Sequence, residues 1–159
     1  MVEVKPNTID SIFAAVIALI TVSIVMTKGD ALYMGLWYYF AVPIVIVGIG
    51  AALRAKPMFL FGTSLAIAIT LISYMSINWR APRPDGLLGL GHLSSLPGAV
   101  VGVFIAAILL KRKTTTSLFI AFFFGLIGLL SGFFVNHLIV CNTVLYCGQL
   151  SLSFFLEYK

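Results

Sequence analysis

The groups in this 159-residue sequence that could do chemistry are histidines and arginines near the ends of apolar segments. His92 and His137 end up close if the two segments that carry them pair, and two imidazoles could then hold a metal ion or a haem iron. Arg80 and Arg83 precede Asp85 in the stretch RAPRPDG and could bind an anionic group. The sequence therefore raises two kinds of site, a two-histidine metal site and an anion site.

Hydrolytic chemistry would need a serine beside one of these histidines. Ser94 or Ser95 could pair with His137, but neither serine lies in the GxSxG turn that exposes a nucleophile. Histidines at a membrane interface are more often hydrogen-bonded to backbone or water than bound to a metal. We therefore expect no catalytic residue, no metal and no cofactor, with a small enzyme or carrier for a lipid-linked or anionic substrate as the alternative.

The elements that position these groups are apolar. Hydrophobic residues make up 61 % of the chain and charged residues 9 %, whereas about a quarter of a soluble domain is charged. Helices that cross a bilayer need about 20 such residues. The basic residues lie in short clusters between apolar segments, which excludes nucleic acid as a partner. We predict an all-α integral membrane protein, one membrane domain over residues 1–159 in contact with membrane lipid. Its bundle of five transmembrane helices is predicted at about 11–27, 31–53, 57–77, 92–110 and 117–140.

The positive-inside rule predicts the orientation. With a cytoplasmic N-terminus, the inner segments carry six basic residues and the outer segments four. Five crossings then leave the C-terminus periplasmic or extracellular, with an outer loop at 78–96 and an outer tail at 141–159. We expect a multi-pass protein of a bacterial inner (plasma) membrane. The inner set is Lys5, Arg54, Lys56, Lys111, Arg112 and Lys113, and the outer set is Lys28, Arg80, Arg83 and Lys159.

Two cysteines, Cys141 and Cys147, are the only ones in the chain, and both fall in the predicted outer tail. An oxidising compartment would allow them to form a disulfide. The alternative is a pair of partly buried thiols.

Small residues predict how the helices pack, because close backbone approach drives helix association in lipid. The fourth and fifth segments each carry small residues at spacings of three or four, and a short loop joins them. We expect these two faces to meet, with a homo-oligomer as the alternative use. The residues are Gly98, Gly102 and Ala106 on one helix and Gly125, Gly128 and Gly132 on the other.

Pro97 is typical of the first turn of a helix. A helix from Pro97 to Leu110 would be about 21 Å long, too short to cross the bilayer core. The segment 86–96 must therefore enter the outer leaflet, either as an extension of the helix or as a re-entrant piece.

Aromatic residues with a polar atom indicate that the two faces differ, since every Tyr and Trp is predicted at the outer end. We therefore expect a non-enzymatic protein that presents this face to a membrane or periplasmic protein, as toxin-immunity or exclusion proteins would. The alternative is an accessory subunit of a transporter or other membrane complex. The expected partner-binding residues are Trp37, Tyr38, Trp79, Arg80, Arg83, Asp85, His92, Asn136 and His137.

Overall fold

The computed structural model describes residues 6–81, 85–113, 117–144, 147 and 150, with the backbone alone for residues 6 and 7. This part of the chain is all-helical, which confirms the all-α part of the predicted fold class. Its five helices are α1 (Pro6–Lys28), α2 (Leu36–Ala52), α3 (Phe59–Arg80), α4 (Leu87–Arg112) and α5 (Leu118–Thr143).

Four of these described helices, α1, α3, α4 and α5, are long and apolar enough to cross a membrane. A helix is the natural solution there because it satisfies its backbone hydrogen bonds internally. At 17 residues, α2 is shorter. The composition and these helices define a helical membrane protein.

The path of α2 follows from its neighbours. Near the start of α1, the carboxylate of Asp10 accepts hydrogen bonds from the backbone N–H groups of Leu60 (3.1 Å) and Phe61 (2.7 Å) at the start of α3. At the far end of both helices, the Lys28 ammonium lies 5.4 Å from the centre of the Trp79 ring. Since α1 and α3 run in parallel, α2 must return along the whole bundle. The number of membrane crossings and the orientation stay predictions.

The two ends of the bundle differ in composition. The cysteine end carries the loop 29–35, the start of α4 and the end of α5 with Cys141. The opposite, cation end carries the start of α3 and the end of α4, with basic residues between 54 and 56 and between 111 and 113.

The core of the bundle is α3. It contacts all four other helices, and 61 % of its apolar span is buried, against 28, 33 and 22 % for α1, α4 and α5. Yet α3 has the lowest mean hydropathy of the four, at 1.8. Polar side chains are tolerated because protein rather than lipid surrounds them; the Ser64 hydroxyl, for example, donates to the Ala14 carbonyl at 2.9 Å.

The most extensive helix–helix interface joins α4 and α5. A methyl group added at Gly102 would overlap the carbonyl oxygen of Gly128, and one at Gly98 would overlap that of Gly132. The two backbones are therefore in direct contact. Gly125 faces α3 instead, where a methyl group would overlap the carbonyl oxygen of Phe59.

The first turns of α4 show whether the segment before Pro97 is helical or re-entrant. The helix begins at Leu87 rather than at His92, and Pro97 lies inside it rather than in its first turn. The segment before Pro97 extends the helix and is not re-entrant. With 26 residues, α4 is about 39 Å long and exceeds the bilayer core of about 30 Å. The remaining helices also differ from the predicted bounds, since α1 starts at Pro6 and α5 continues to Thr143.

Candidate functional site

His92 is fully buried at the cysteine end, and both of its ring nitrogens have partners. Nε2 lies 3.2 Å from the hydroxyl oxygen of Thr70, which gives its own proton to the carbonyl of Ile67 at 2.8 Å. That oxygen can therefore only accept, so Nε2 carries the hydrogen. Nδ1 then accepts from the Tyr38 hydroxyl at 2.6 Å.

His137 is buried in the same way, with a second tyrosine as its partner. Nε2 donates to the carbonyl of Leu150 at 3.2 Å, and Nδ1 accepts from the Tyr74 hydroxyl at 2.6 Å. A carbonyl accepts only, so the hydrogen lies on Nε2 here too. Both imidazoles are held as the same tautomer, each by a tyrosine from another helix.

Tyr74 brings the two histidines together. Its ring packs edge-on against His92, with centroids 4.9 Å apart, and against His137 at 5.7 Å. Phe133 packs beside both rings, at 5.1 Å from His92 and stacked 6.3 Å from His137. We call Tyr38, Thr70, Tyr74, His92, Phe133 and His137 the His–Tyr cluster. The lone pair on each Nδ1 is occupied by a tyrosine proton, so a metal ion would have to displace that bond.

The serine–histidine pair has the wrong hydrogen-bond pattern for a nucleophile. Ser95 lies 3.5 Å from Nδ1 of His137, but its hydroxyl donates to the carbonyl of Gly91 at 2.7 Å. The carbonyl of Ser94 accepts from the Asn136 amide at 2.7 Å. The bond from Asn136 to Ser94 joins α5 to α4. The Ser95 proton is directed at a backbone carbonyl and not at an imidazole.

The predicted disulfide between Cys141 and Cys147 is confirmed: their sulfur atoms are at bonding distance and their Cα atoms 5.3 Å apart. Cys141 lies in the last turn of α5 rather than in a tail. The bridge packs on α4, because a methyl group at Gly91 would lie 2.9 Å from the Cys147 sulfur. Although the two sulfurs and a nitrogen of His137 lie within 4.8 Å of one another, both sulfurs are used in the disulfide.

The residues expected to bind a partner divide by burial. Trp37 and Arg80 are exposed, Trp37 by 64 %. Trp79, Asp85 and Asn136 are half-buried. Arg83 lies outside the described residues. Tyr38, His92 and His137 are buried, which corrects the expectation that all of these side chains form one outward-facing surface. These three lie in the interior of the bundle.

A feature that the sequence analysis missed is the loop between α1 and α2, which Asp30 organises. One carboxylate oxygen accepts from the backbone N–H of Leu32 at 3.1 Å and from the Tyr39 hydroxyl at 2.5 Å, and the other accepts from the N–H of Gly35 at 2.6 Å. We call this loop together with the first two residues of α2, residues 29–37, the Asp30 loop. An aspartate followed by a glycine five residues later is the signal that could have indicated it, since both are typical of turns.

Neighbouring helices fix the Asp30 loop from below. The Asn78 amide donates to the carbonyl of Ala31 and, at 3.1 Å, to that of Asp85, so it joins the loop to the segment before α4. Gly89 of α4 contacts the loop so closely that a methyl group would overlap the carbonyl of Leu32. The loop is therefore anchored on both sides.

This anchoring leaves two aromatic side chains facing away from the protein. Tyr33 is 63 % exposed and Trp37 is 64 % exposed. Tyr33 has a φ of 56°, a conformation rare for residues other than glycine, asparagine and aspartate. The loop holds this strained residue in place, and such strain often accompanies binding sites.

A cavity of about 230 Å³ opens beside Tyr33. The Lys28 ammonium over the ring of Trp79 forms one wall, and Asp30 and Tyr33 contribute to another. Within the described residues, Nε1 of Trp79 is the buried side-chain nitrogen that has no hydrogen-bond partner. The cavity thus combines a cation, a carboxylate and aromatic surface.

Fold and site together define a multi-pass α-helical membrane protein with a tightly bonded cysteine end and an aromatic loop above it. No protein-family model, no curated protein and no solved structure matches this chain.

Proposed function

We propose that this chain is a non-enzymatic protein of a bacterial inner membrane that recognises another protein through the Asp30 loop. Toxin immunity or exclusion is the class of function that such a surface suits. The cysteine end lies on the outer side of the membrane in this proposal, and the partner reaches it from the membrane or the periplasm.

The observation that carries the proposal is the Asp30 loop itself. Three hydrogen bonds to one carboxylate hold it, and Tyr33 and Trp37 are exposed on it. Tyr33 also lines a cavity together with Lys28 and Trp79. Tyrosine and tryptophan dominate the energy of protein interfaces because they bury much area and lose little side-chain freedom. A rigid loop adds to this, since little ordering remains to be done on binding.

The His–Tyr cluster supports a recognition role over a chemical one. A catalytic base needs a free lone pair within reach of a substrate, and in both imidazoles that lone pair accepts a tyrosine proton. Tyr38, directly after Trp37, ties the exposed loop to His92. The cluster acts as the platform on which the loop rests.

Orientation is tested first, with single cysteines in a Cys141→Ser/Cys147→Ser background. Tyr33→Cys should react with a membrane-impermeant maleimide in intact cells, because position 33 is exposed at the cysteine end. Lys113→Cys, exposed at the cation end, should react only after the cells are opened. The reverse pattern would place the Asp30 loop in the cytoplasm and end the proposal.

Recognition is tested by photo-cross-linking in the source cells, with a photoreactive phenylalanine analogue at position 37. We expect one discrete protein adduct, identified by mass spectrometry, and survival of cells that produce the adduct's partner only when the chain is also present. Tyr33→Ala should lower both the adduct yield and the survival.

The matched control is Phe134, an exposed aromatic on α5 that Asp30 does not organise. Placing the photoreactive analogue at position 134 should give lipid adducts alone, and Phe134→Ala should leave survival unchanged. Lipid adducts alone at position 37 as well would show that Trp37 is a membrane anchor and would refute the proposal.

A further inference from the structure

A groove of about 900 Å³ runs along the bundle between α4 and α5. It extends from Asn136 and Ile139 near the cysteine end to Lys113 and Phe119 at the cation end. Glycines form much of its floor, so the backbones of both helices lie close beneath an occupant. This groove plays no part in the recognition of a partner by the Asp30 loop.

The cation end of the groove carries a concentration of positive charge. The Lys113 ammonium lies 4.9 Å from the centre of the Phe124 ring, and both residues line the groove. Lys111 and Arg112 are exposed beside it. Lys56 reaches the same place, because its ammonium donates to the backbone carbonyl of Lys113 at 2.5 Å.

Among the described residues, acidic side chains do not balance the charge of Lys111, Arg112 and Lys113. Of the acids there, Asp10 alone lies at the cation end, and its carboxylate is buried against the backbone of α3. Asp30 and Asp85 lie at the opposite end. The groove thus leads to a group of cations whose charge is complementary to an anionic headgroup of the bilayer.

The half of the groove at the cation end is about as long as one leaflet of the bilayer core is thick. From Gly102 to Lys113, α4 rises about 16 Å, and half of the bilayer core is about 15 Å. Over this depth the walls come from Ile105 and Leu109 on one side and Phe123 and Ile127 on the other. An acyl chain between them would contact apolar atoms along its whole length.

We propose that this half of the groove binds an anionic phospholipid, with its phosphate at Lys113 and an acyl chain between α4 and α5. Charge selects this occupant over a second copy of the chain. Two copies inserted in the same orientation would bring their cation ends together, and like charges repel. Basic pockets between helices are where anionic headgroups bind membrane proteins.

The test uses the full chain in detergent, with palmitoyl-oleoyl phosphatidylglycerol as the probe and the phosphatidylcholine of the same chains as its neutral match. Native mass spectrometry counts the lipids that remain bound. We expect one phosphatidylglycerol per protein, at concentrations where phosphatidylcholine is lost.

Two pairs of variants separate the headgroup from the groove. Lys113→Gln should weaken retention about fivefold, as expected for one basic residue near the headgroup. Lys28→Gln, whose ammonium also lies over an aromatic ring but at the cysteine end, should not change it. Ile127→Trp narrows the groove and should also weaken retention, whereas Ile44→Trp, on the exposed face of α2, should not.

The proposal fails if phosphatidylcholine is retained equally, or if Lys28→Gln and Lys113→Gln have the same effect. It fails equally if Ile127→Trp has no effect, because the lipid would then bind to surface charge outside the groove. A protein dimer that excludes the lipid would assign the groove to a second copy. Thermal unfolding of each variant, measured in parallel, shows that these losses do not come from a disrupted bundle.

Discussion

The cysteine end and the cation end of this bundle use their polar residues in opposite ways. At the cysteine end, side chains far apart in the sequence bond to each other, as Tyr38 does to His92 and Tyr74 to His137. At the cation end, Lys111, Arg112 and Lys113 are exposed. One end is fixed from within, whereas the other offers charge to its surroundings.

This difference shows which contacts fix the shape of one end of a small membrane protein. Lipid provides little drive for helix association, so specific polar contacts and close packing must define the shape. Those contacts are concentrated beneath the Asp30 loop, where Tyr38 bonds to His92 and Asn78 to the carbonyl of Ala31. The cation end needs only a few such contacts, and Asp10 supplies two of them.

The largest expected effect comes from removing the centre of the His–Tyr cluster. His92→Ala should lower the free energy of unfolding by about 3 kcal/mol, because it leaves a cavity and an unpaired Tyr38 hydroxyl. Asp10→Ala at the cation end should cost about 1 kcal/mol, the usual loss of a side chain that caps a helix. Equilibrium unfolding in mixed micelles, followed by circular dichroism, measures both.

Coupling between the two residues is the sharper readout. The double variant Tyr38→Phe/His92→Ala should cost less than the sum of the single variants, since Phe leaves no hydroxyl to be unpaired. Equal costs for His92→Ala and Asp10→Ala would remove the contrast between the two ends.

The disulfide should have the next largest effect. Cys141→Ser/Cys147→Ser should lower the free energy of unfolding by about 2 kcal/mol, because the closed loop is short. Reducing the wild-type protein should produce the same loss, and the double variant should not respond to the reductant. A stability independent of reductant in both proteins would show that the bridge contributes nothing to the cysteine end.

The smallest effect compares two helical glycines. Gly91→Ala should destabilise the protein by about 1 kcal/mol, since the methyl group meets the Cys147 sulfur at 2.9 Å. Gly48→Ala, in the half of α2 near the cation end, meets nothing within 4 Å and should stabilise by about 0.5 kcal/mol through the better helix propensity of alanine. Thermal unfolding resolves the sign, and the same sign for both would contradict the tighter packing of the cysteine end.

Much of the fold could be predicted because its signals are local. Apolar segments of helical length predict the helices, and two cysteines six positions apart are close enough in the chain to form a disulfide when oxidised. Helix ends were predicted less well. The sequence predicts Pro97 in the first turn of a helix, whereas in the structure it lies inside α4. The turns before it pack closely on the Asp30 loop at Gly89 and on the disulfide at Gly91.

The site was predicted only in part, for a different reason. His92 and His137 were correctly grouped at one end with the tyrosines, since depth in a bundle follows from position along each helix. Whether they face lipid, solvent or protein depends on how each helix is rotated, which small differences in packing decide. The sequence therefore predicts Tyr38 at the outer surface, whereas in the structure it is buried against His92.

Composition and spacing are enough to predict that this chain forms apolar helices, that two clusters of basic residues lie at one end, and that its cysteines lie at the other. These properties depend on composition and on spacings within one helix. Two other features are visible only in the tertiary structure. Tyr38 bonds to His92, 54 residues away, and Asp30 closes the loop on which Tyr33 and Trp37 are exposed. Such pairs form between elements whose mutual rotation is set by the packing of the whole bundle, and no local pattern encodes it.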